Sequence, residues 1–257
     1  MWIKHSDCTI RNFDWFRISL ICASALFFSY SQAVAQKEVF IGQFSNDMPG
    51  KKIPSQWEPL LFKSISEHTK YSLVTDSGQT VVKAVCNGSS SGLIRYVHID
   101  PEKYPIIEWR WKVSNIFNKG DVTKKAGDDY PARLYIAFEF NPKNAGLMQR
   151  AKYKTLELFF GKTPPVGAIN YIWASKAPDG TVVPSPYTGQ SIMMVVQSGK
   201  ADINQWITET RDIIADYMTA FGKKPPMITA IAIMSDGNDT GESAVAYYGD
   251  IVMRGRD

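Results

Sequence analysis

The sequence predicts an all-β fold, either a β-sandwich or a jelly roll, with one helix in its C-terminal half. Three observations lead to this prediction. Short runs rich in β-branched and aromatic residues recur about every ten residues, separated by Gly, Pro, Asn and Asp. These runs do not alternate with helical patterns, which argues against a doubly wound α/β fold. Such spacing is typical of sandwiches and related all-β folds.

The first 35 residues are predicted to be an export signal and not part of the fold. Arg11 and Arg17 precede an uncharged segment, and the AVA sequence ending at Ala35 matches a signal-peptidase site. The apolar run ISLICASALFFSY is short for a membrane span, although an uncleaved anchor is the alternative. The predicted organisation is a signal peptide at 1–35 and a single β-sandwich domain at 36–257.

Composition excludes several classes of protein. The formal net charge of +4 is close to balance, and no basic run suggests a nucleic-acid surface. After signal cleavage Cys86 is the one cysteine left, so no intramolecular disulfide can form, and a domain of this size does not need one. Cys86 is predicted to be a buried thiol. The H-E-x-x-H, C-x-x-C, P-loop and G-x-G-x-x-G motifs are absent.

The runs with strand composition follow one another along the chain. They lie at 38–44, 71–75, 80–86, 93–99, 106–113, 133–140, 155–160, 170–175, 191–197, 227–234 and 244–253. The run at 227–234 is apolar throughout, which predicts a strand buried on both faces. The run at 244–253 contains Asp250, for which a polar partner is expected.

One helix is predicted in TRDIIADYMTAFG, where apolar residues follow a 3.6-residue period. Thr210 is the expected N-cap and Gly222 the expected end. Asp212 and Asp216 are predicted to serve in capping and in an ion-pair cluster with Arg211. The preceding INQWITE segment fits either a helix or a strand. A weaker helix is predicted at 145–153.

The strand IIEWRWKV at 106–113 has an apolar face with two tryptophans and a charged face. The tryptophans, Trp109 and Trp111, are predicted to face the core. The charged face includes Arg110 and Lys112. In the run at 133–140 the polar face carries Arg133, Tyr135 and Glu139. If the two strands pair, these side chains line up.

Two interpretations of such a polar surface remain open. It is either a solvated ladder of ion pairs or a face that holds a hydroxylated or anionic ligand. The long loop between the two strands ends in Asp128, Asp129 and Tyr130. Because adjacent carboxylates repel, a cation is expected nearby, either a bound ion or one of Arg110, Lys112 and Arg133.

The segment SDGNDTGES at 235–243 concentrates oxygen-bearing side chains. Asp236, Asn238 and Asp239 are predicted calcium ligands, since calcium prefers such hard oxygen donors. The segment is not an EF-hand, because Tyr247 stands where the bidentate glutamate should be. A hairpin turn rich in Asn and Gly explains the same composition without a metal.

Several of these motifs together resemble a family of exported bacterial proteins that is known only as a domain of unknown function. The motifs are WRWKV, GDDYPAR, DGNDTG and AYYGDI, and the resemblance extends over 39–252. It implies a periplasmic or secreted protein of a Gram-negative bacterium. It also implies a jelly-roll sandwich similar to carbohydrate-binding modules. It assigns no catalytic residues.

These observations predict a module that binds a glycan or another cell-envelope component, without nucleic acid and without a stable membrane span after cleavage. Tyr130 and Tyr135 are expected to offer aromatic surface to sugar rings. The expected ligand-binding residues are Arg110, Lys112, Asp128, Asp129, Tyr130, Arg133, Tyr135 and Glu139. One alternative is a glycoside hydrolase or lyase that uses Glu139 with Asp128 or Asp129. Another is an envelope assembly subunit that binds protein.

Overall fold

The computed structural model describes residues 38–139 and 167–256, which form two β-sheets packed face to face. The elements, in chain order, are β1 (Glu38–Gly42), β2 (Glu58–Leu60), β3 (Lys70–Asp76), β4 (Gln79–Asn87), β5 (Ser90–Ile99), β6 (Ile106–Val113), β7 (Tyr130–Phe138), β8 (Gly167–Ala174), β9 (Val182–Ser185), β10 (Thr188–Ser198), β11 (Ile207–Asp212), α1 (Ile213–Phe221), β12 (Ile228–Asp236) and β13 (Ser243–Arg254).

One sheet has six strands in the order β11-β6-β13-β4-β3, with β1 also paired to β13. The other has seven strands in the order β2-β5-β12-β7-β8-β10-β9. The pairing is antiparallel except between β8 and β10, which run parallel. Strands that are neighbours in sequence often lie in different sheets, so the chain crosses repeatedly between the two layers. The predicted jelly-roll-like β-sandwich is confirmed.

Most of the predicted strands lie where expected, and the open INQWITE segment ends in strand β11, which pairs with β6. The sequence does not predict the short strands β2 and β9, because three and four residues are too few to show a clear strand period. The signal peptide at 1–35, the strand at 155–160 and the helix at 145–153 lie outside the described residues. No helix in the described part of the chain is long and apolar enough to cross a membrane.

The core between the sheets is built around an aromatic layer. Trp109 and Trp111 are buried as predicted. The Trp109 ring stacks on Tyr171 of the opposite sheet, with centroids 5.1 Å apart, and Trp111 lies 6.0 Å from Trp173. Burial of side chains this large supplies much of the free energy that holds the two layers together.

The predicted alignment of the two polar strand faces is wrong. Strand β6 pairs with β11 and β13, whereas β7 pairs with β12 and β8 in the other sheet. Both strands turn their apolar faces into the same core. Their polar faces therefore point to opposite outer surfaces of the sandwich, and Arg110 and Lys112 do not lie beside Arg133 and Tyr135.

Helix α1 is capped by Asp212, whose carboxylate accepts from the backbone N–H groups of Ile214 and Ala215 at 3.0 and 3.1 Å. The predicted cap, Thr210, lies inside strand β11 instead. Gly222 ends the helix as predicted, in the left-handed conformation with a φ of 68°. Asp216 accepts from the hydroxyl of buried Tyr171 at 2.7 Å. It also pairs with Arg211.

Replacing Asp216 with alanine is expected to lower the free energy of unfolding by about 2–3 kcal/mol, because it leaves the buried Tyr171 hydroxyl without its acceptor and Arg211 without its anion. Urea denaturation would measure the change. The matched control is Glu102→Ala, which breaks an exposed pair with Lys224 and should cost at most about 0.5 kcal/mol. Equal effects of the two substitutions would contradict a structural role for the Asp216 network.

Candidate functional site

A buried ionic cluster lies where the β6–β7 loop and the β12–β13 connection meet the start of β7. At its centre is Arg133, which is 4% exposed. Its Nη2 lies 2.6 Å from Asp236 Oδ2 and 3.5 Å from Asp128 Oδ1. Its Nη1 donates to the Tyr135 hydroxyl at 2.8 Å, and its guanidinium carbon lies 4.2 Å from the centroid of the Tyr130 ring.

Asp129 completes this Arg133 cluster, which consists of Asp128, Asp129, Tyr130, Arg133, Tyr135 and Asp236. Asp129 is 0% exposed, and its Oδ2 accepts from the backbone N–H of Thr240 at 2.5 Å. Its Oδ1 has no hydrogen-bond partner in the described part of the chain. The two adjacent aspartates therefore have separate tasks: Asp128 faces Arg133, and Asp129 holds the β12–β13 connection.

Strand pairing brings these residues together although they are far apart in sequence. Strands β7 and β12 are neighbours, and Tyr130 is the register partner of Asp236. The backbone N–H of Tyr130 donates to Asp236 Oδ1 at 3.3 Å. Two motifs that are far apart in sequence, the GDDYPAR loop and the DGNDTG segment, thus form one site.

The cluster holds three buried carboxyl groups and one guanidinium. The pKa of Asp236 is raised to about 8, mainly by burial and also by the carboxylates of Asp129 and Asp128, while Arg133 acts to lower it. Burial is also the main cause of a raised pKa at Asp128. Arg133 contacts two of the three carboxyl groups, Asp128 and Asp236, and the raised pKa values of both favour their protonated forms.

The cluster reaches the surface at a group of side chains that we call the Tyr187 rim: Lys125, Tyr187, Asn238 and Asp239. Tyr187 lies in the β9–β10 turn and is 56% exposed. Its hydroxyl donates to Asp239 Oδ2 at 2.7 Å, and the ammonium nitrogen of Lys125 lies 5.4 Å from its ring centroid. Partial burial and the nearby aspartates, Asp239 first, raise the pKa of Tyr187 to about 12.

Three predicted ligand-binding residues lie away from this site. Glu139 follows the far end of β7, roughly 30 Å along the strand from Asp129. It therefore cannot form a catalytic pair with Asp128 or Asp129. Arg110 and Lys112 are on the outer face of the six-stranded sheet, where Arg110 donates to Gln79 and Lys112 pairs with Asp76 at 2.8 Å.

The predicted aromatic surface is also different. Tyr130 is 1% exposed, and its hydroxyl donates to Met193 Sδ at 3.3 Å, so its ring faces the protein interior. The exposed aromatic side chain beside the cluster is Tyr187 instead. Tyr187 is not predicted from the sequence, because a single aromatic residue in a turn with Pro and Gly nearby carries no periodic signal.

The three predicted calcium ligands face different partners. Asp236 turns towards Arg133, while Asp239 accepts from Tyr187 and from the Nδ2 group of Asn238. Within 38–139 and 167–256, no three His, Cys, Asp or Glu side chains are grouped as metal ligands. Calcium at this segment remains a prediction. The hairpin alternative is wrong, because β12 and β13 lie in different sheets.

Cys86 is buried and free, as predicted. Residues 88–92, GSSSG, match the letters of a G-x-S-x-G nucleophile motif. That motif needs its serine on a turn between a strand and a helix. Here Ser90 begins strand β5 and is buried, so the segment is not a nucleophile elbow.

The model of the family described as "Protein of unknown function (DUF3047)" matches residues 55–252. The chain belongs to this family. The resemblance seen in the sequence motifs is thereby confirmed. No curated protein matches this DUF3047 chain significantly.

Several solved structures are similar to this chain at low identity. A family 12 xyloglucanase from Bacillus licheniformis is 8% identical, with a TM-score of 0.44 over 85% of this chain and 100% of that one. The endoglucanase cel12A from Rhodothermus marinus is 10% identical, with a TM-score of 0.42 over 85% and 99%. The Emp47p carbohydrate recognition domain is 12% identical, with a TM-score of 0.42 over 84% and 95%. Likeness at this level supports no conclusion about activity.

The raised pKa of Asp236 predicts how the stability of this DUF3047 protein depends on pH. Between the ordinary value of 3.8 and the raised value of about 8, the folded state holds a proton that the unfolded state has released. Asp236 therefore makes the free energy of unfolding fall as the pH rises through this window, by up to about 1.4 kcal/mol per pH unit.

Asp236→Asn should remove this contribution, so that the variant gains stability relative to the wild type as the pH rises from 4 to 8. Urea titrations across that range would measure it. The control is Asp121→Asn, because the pKa of half-buried Asp121 is lowered by Lys124 and Thr123 and its carboxyl stays ionised above pH 5 in both states. Parallel curves for the wild type and Asp236→Asn would show that Asp236 is ionised throughout.

Proposed function

We propose that this protein is an exported module that binds a neutral, hydroxyl-rich glycan of the cell envelope at the Tyr187 rim. One observation carries the proposal. Tyr187, an exposed aromatic side chain, is hydrogen-bonded to Asp239 at the mouth of the cluster of buried carboxyl groups around Arg133.

The chemistry of the rim suits a sugar. The apolar face of a sugar ring packs against an aromatic ring such as Tyr187, whose position is held by its hydrogen bond to Asp239. Carboxylate oxygens accept hydrogen bonds from sugar hydroxyls, and Asn238 and Lys125 add donors at the same rim. Binding sites of this type combine one aromatic surface with a few placed polar groups.

The charge of the site favours a neutral ligand. Four acidic side chains lie close to one another: Asp128, Asp129, Asp236 and Asp239. Arg133 is the cation that contacts the cluster, and Lys125 is the cation that contacts the rim. An acidic sugar would meet like charges at the mouth of the cluster. Neutral polysaccharides are therefore the ligands to test first, and added calcium tests whether a metal at Asp236, Asn238 and Asp239 takes part.

Tyr187→Ala is expected to weaken binding to the best neutral glycan of a polysaccharide panel by at least about tenfold, because it removes the aromatic surface. Tyr187→Phe keeps the ring, loses the hydroxyl and should lose less. Isothermal titration calorimetry measures the affinity, and the melting temperature should hardly change, since the side chain is largely exposed.

The matched control is Phe62→Ala, which removes an exposed aromatic side chain between β2 and β3, near the opposite edge of the seven-stranded sheet. If Tyr187→Ala and Phe62→Ala bind alike, the rim is not the site. Release of reducing sugars from the bound glycan would assign hydrolysis in place of binding alone. No response to any glycan would favour a protein partner in the envelope.

Export is tested separately. When the full chain is produced in a Gram-negative host, the periplasmic protein should begin at Gln36, because the AVA sequence ends at Ala35. N-terminal sequencing decides this. Ala35→Arg should block processing, since the peptidase requires a small residue there, and an intact N-terminus in the wild type would instead assign an uncleaved anchor.

A further inference from the structure

A second surface with different chemistry lies on the outer face of the six-stranded sheet. A row of four side chains crosses the sheet there, from the start of β11 through β6 and β13 to β4. In this order they are Trp206, Lys112, Tyr247 and Lys83. Tyr247 of β13 is the register partner of both Lys112 of β6 and Lys83 of β4. Trp206 directly precedes β11, whose first residue Ile207 pairs with Trp111, so Trp206 comes level with Lys112.

Aromatic rings and cations alternate along this aromatic–cation row. The ammonium nitrogen of Lys112 lies 5.2 Å from the ring centroid of Trp206 and 4.6 Å from that of Tyr247. Lys83 lies 5.9 Å from the Tyr247 ring on its other side. The guanidinium carbon of Arg110 lies 4.6 Å from the Trp206 ring. Across the sheet the order is Trp206, Lys112, Tyr247 and Lys83, and Arg110 lies two residues from Lys112 along β6, on the same face.

The row is held in place by its neighbours. Asp76 accepts from Lys112 at 2.8 Å and from the indole N–H of Trp206 at 2.7 Å. Arg110 lies across Gly249, where any side chain would collide with it. These contacts fix the side chains before any ligand arrives, which lowers the entropy cost of binding.

The charge on the row is positive and only partly compensated. Asp76 pairs with Lys112, whereas the hydrogen-bond acceptor of Arg110 is the neutral amide of Gln79. Among the residues that the structure describes, Lys83 and Arg110 take part in no ion pair. Two strand spacings separate β6 from β4, which places these cations roughly 10 Å apart across the sheet.

We propose that the aromatic–cation row binds an extended acidic polysaccharide. Sugar rings pack on the partly exposed Trp206 and Tyr247, and carboxylates on nearby sugars pair with Arg110 and Lys83. Arg110 and Lys83 are separated by about the length of two sugar residues, which suits charges on alternate sugars of one chain. This surface is on the opposite sheet from the Tyr187 rim, and the inference does not depend on the proposed function.

The probe is polygalacturonate, and its methyl-esterified form is the neutral control of the same backbone. Affinity electrophoresis of the full chain should show retardation by polygalacturonate only, and the retardation should weaken as salt is raised. Lys83→Gln should weaken binding about fivefold, the effect of losing one partly exposed charge pair. Trp206→Ala should weaken it about tenfold.

Trp206→Ala also removes a hydrogen-bond donor to Asp76 and could therefore disturb folding. If this variant fails to fold, the result for Lys83→Gln decides the test. Lys223→Gln, an exposed lysine after α1, is the matched control and should bind like the wild type. Lys83→Gln should leave any response to neutral glycans unchanged, which separates this surface from the Tyr187 rim.

Wild-type binding by Lys83→Gln, or equal retardation by the methyl-esterified polymer, overturns the proposal. Equal binding to single-stranded DNA with the same variants overturns it as well, because the row would then be a general polyanion surface and not a polysaccharide site.

Discussion

Two aromatic contacts between the sheets, Trp109 on Tyr171 and Trp111 near Trp173, show which faces of β6 and β8 point into the core. Side chains alternate along a strand, so a strand whose tryptophans face the core must turn its charged residues outward. This places Arg110 and Lys112 on the outer face of one sheet. The same rule, applied to β7, places Arg133 and Tyr135 on the outer side of the other sheet.

The two polar surfaces then differ in how their charges are arranged. Around Arg133, carboxylates outnumber cations and most of the groups are buried, so burial raises the pKa of Asp236 and Asp128. Along the aromatic–cation row, cations outnumber the single carboxylate of Asp76 and the side chains remain partly exposed. One sandwich thus presents an acidic rim and a basic row, which suit ligands of different charge.

The Arg133 cluster has a structural task as well as a chemical one. It ties the β6–β7 loop and the β12–β13 connection to the start of β7 through Asp128, Asp129 and Asp236. Because these two connections position Lys125 and Asp239, the geometry of the Tyr187 rim depends on the buried charges behind it. Substitutions inside the cluster will therefore affect both stability and the rim, whereas Tyr187 tests the rim alone.

By itself the sequence determined the fold class, the position of most strands, the helix with its Gly222 end, and the buried faces of β6 and β12. These follow from local patterns, because strand and helix periods are written in neighbouring residues. Tertiary structure decided which strands pair. It separated Arg110 and Lys112 from Arg133, brought Asp236 and Asp128 together around Arg133, and brought Tyr187 to the rim. Each of these depends on contacts between residues that are distant in sequence, and no local period encodes such contacts.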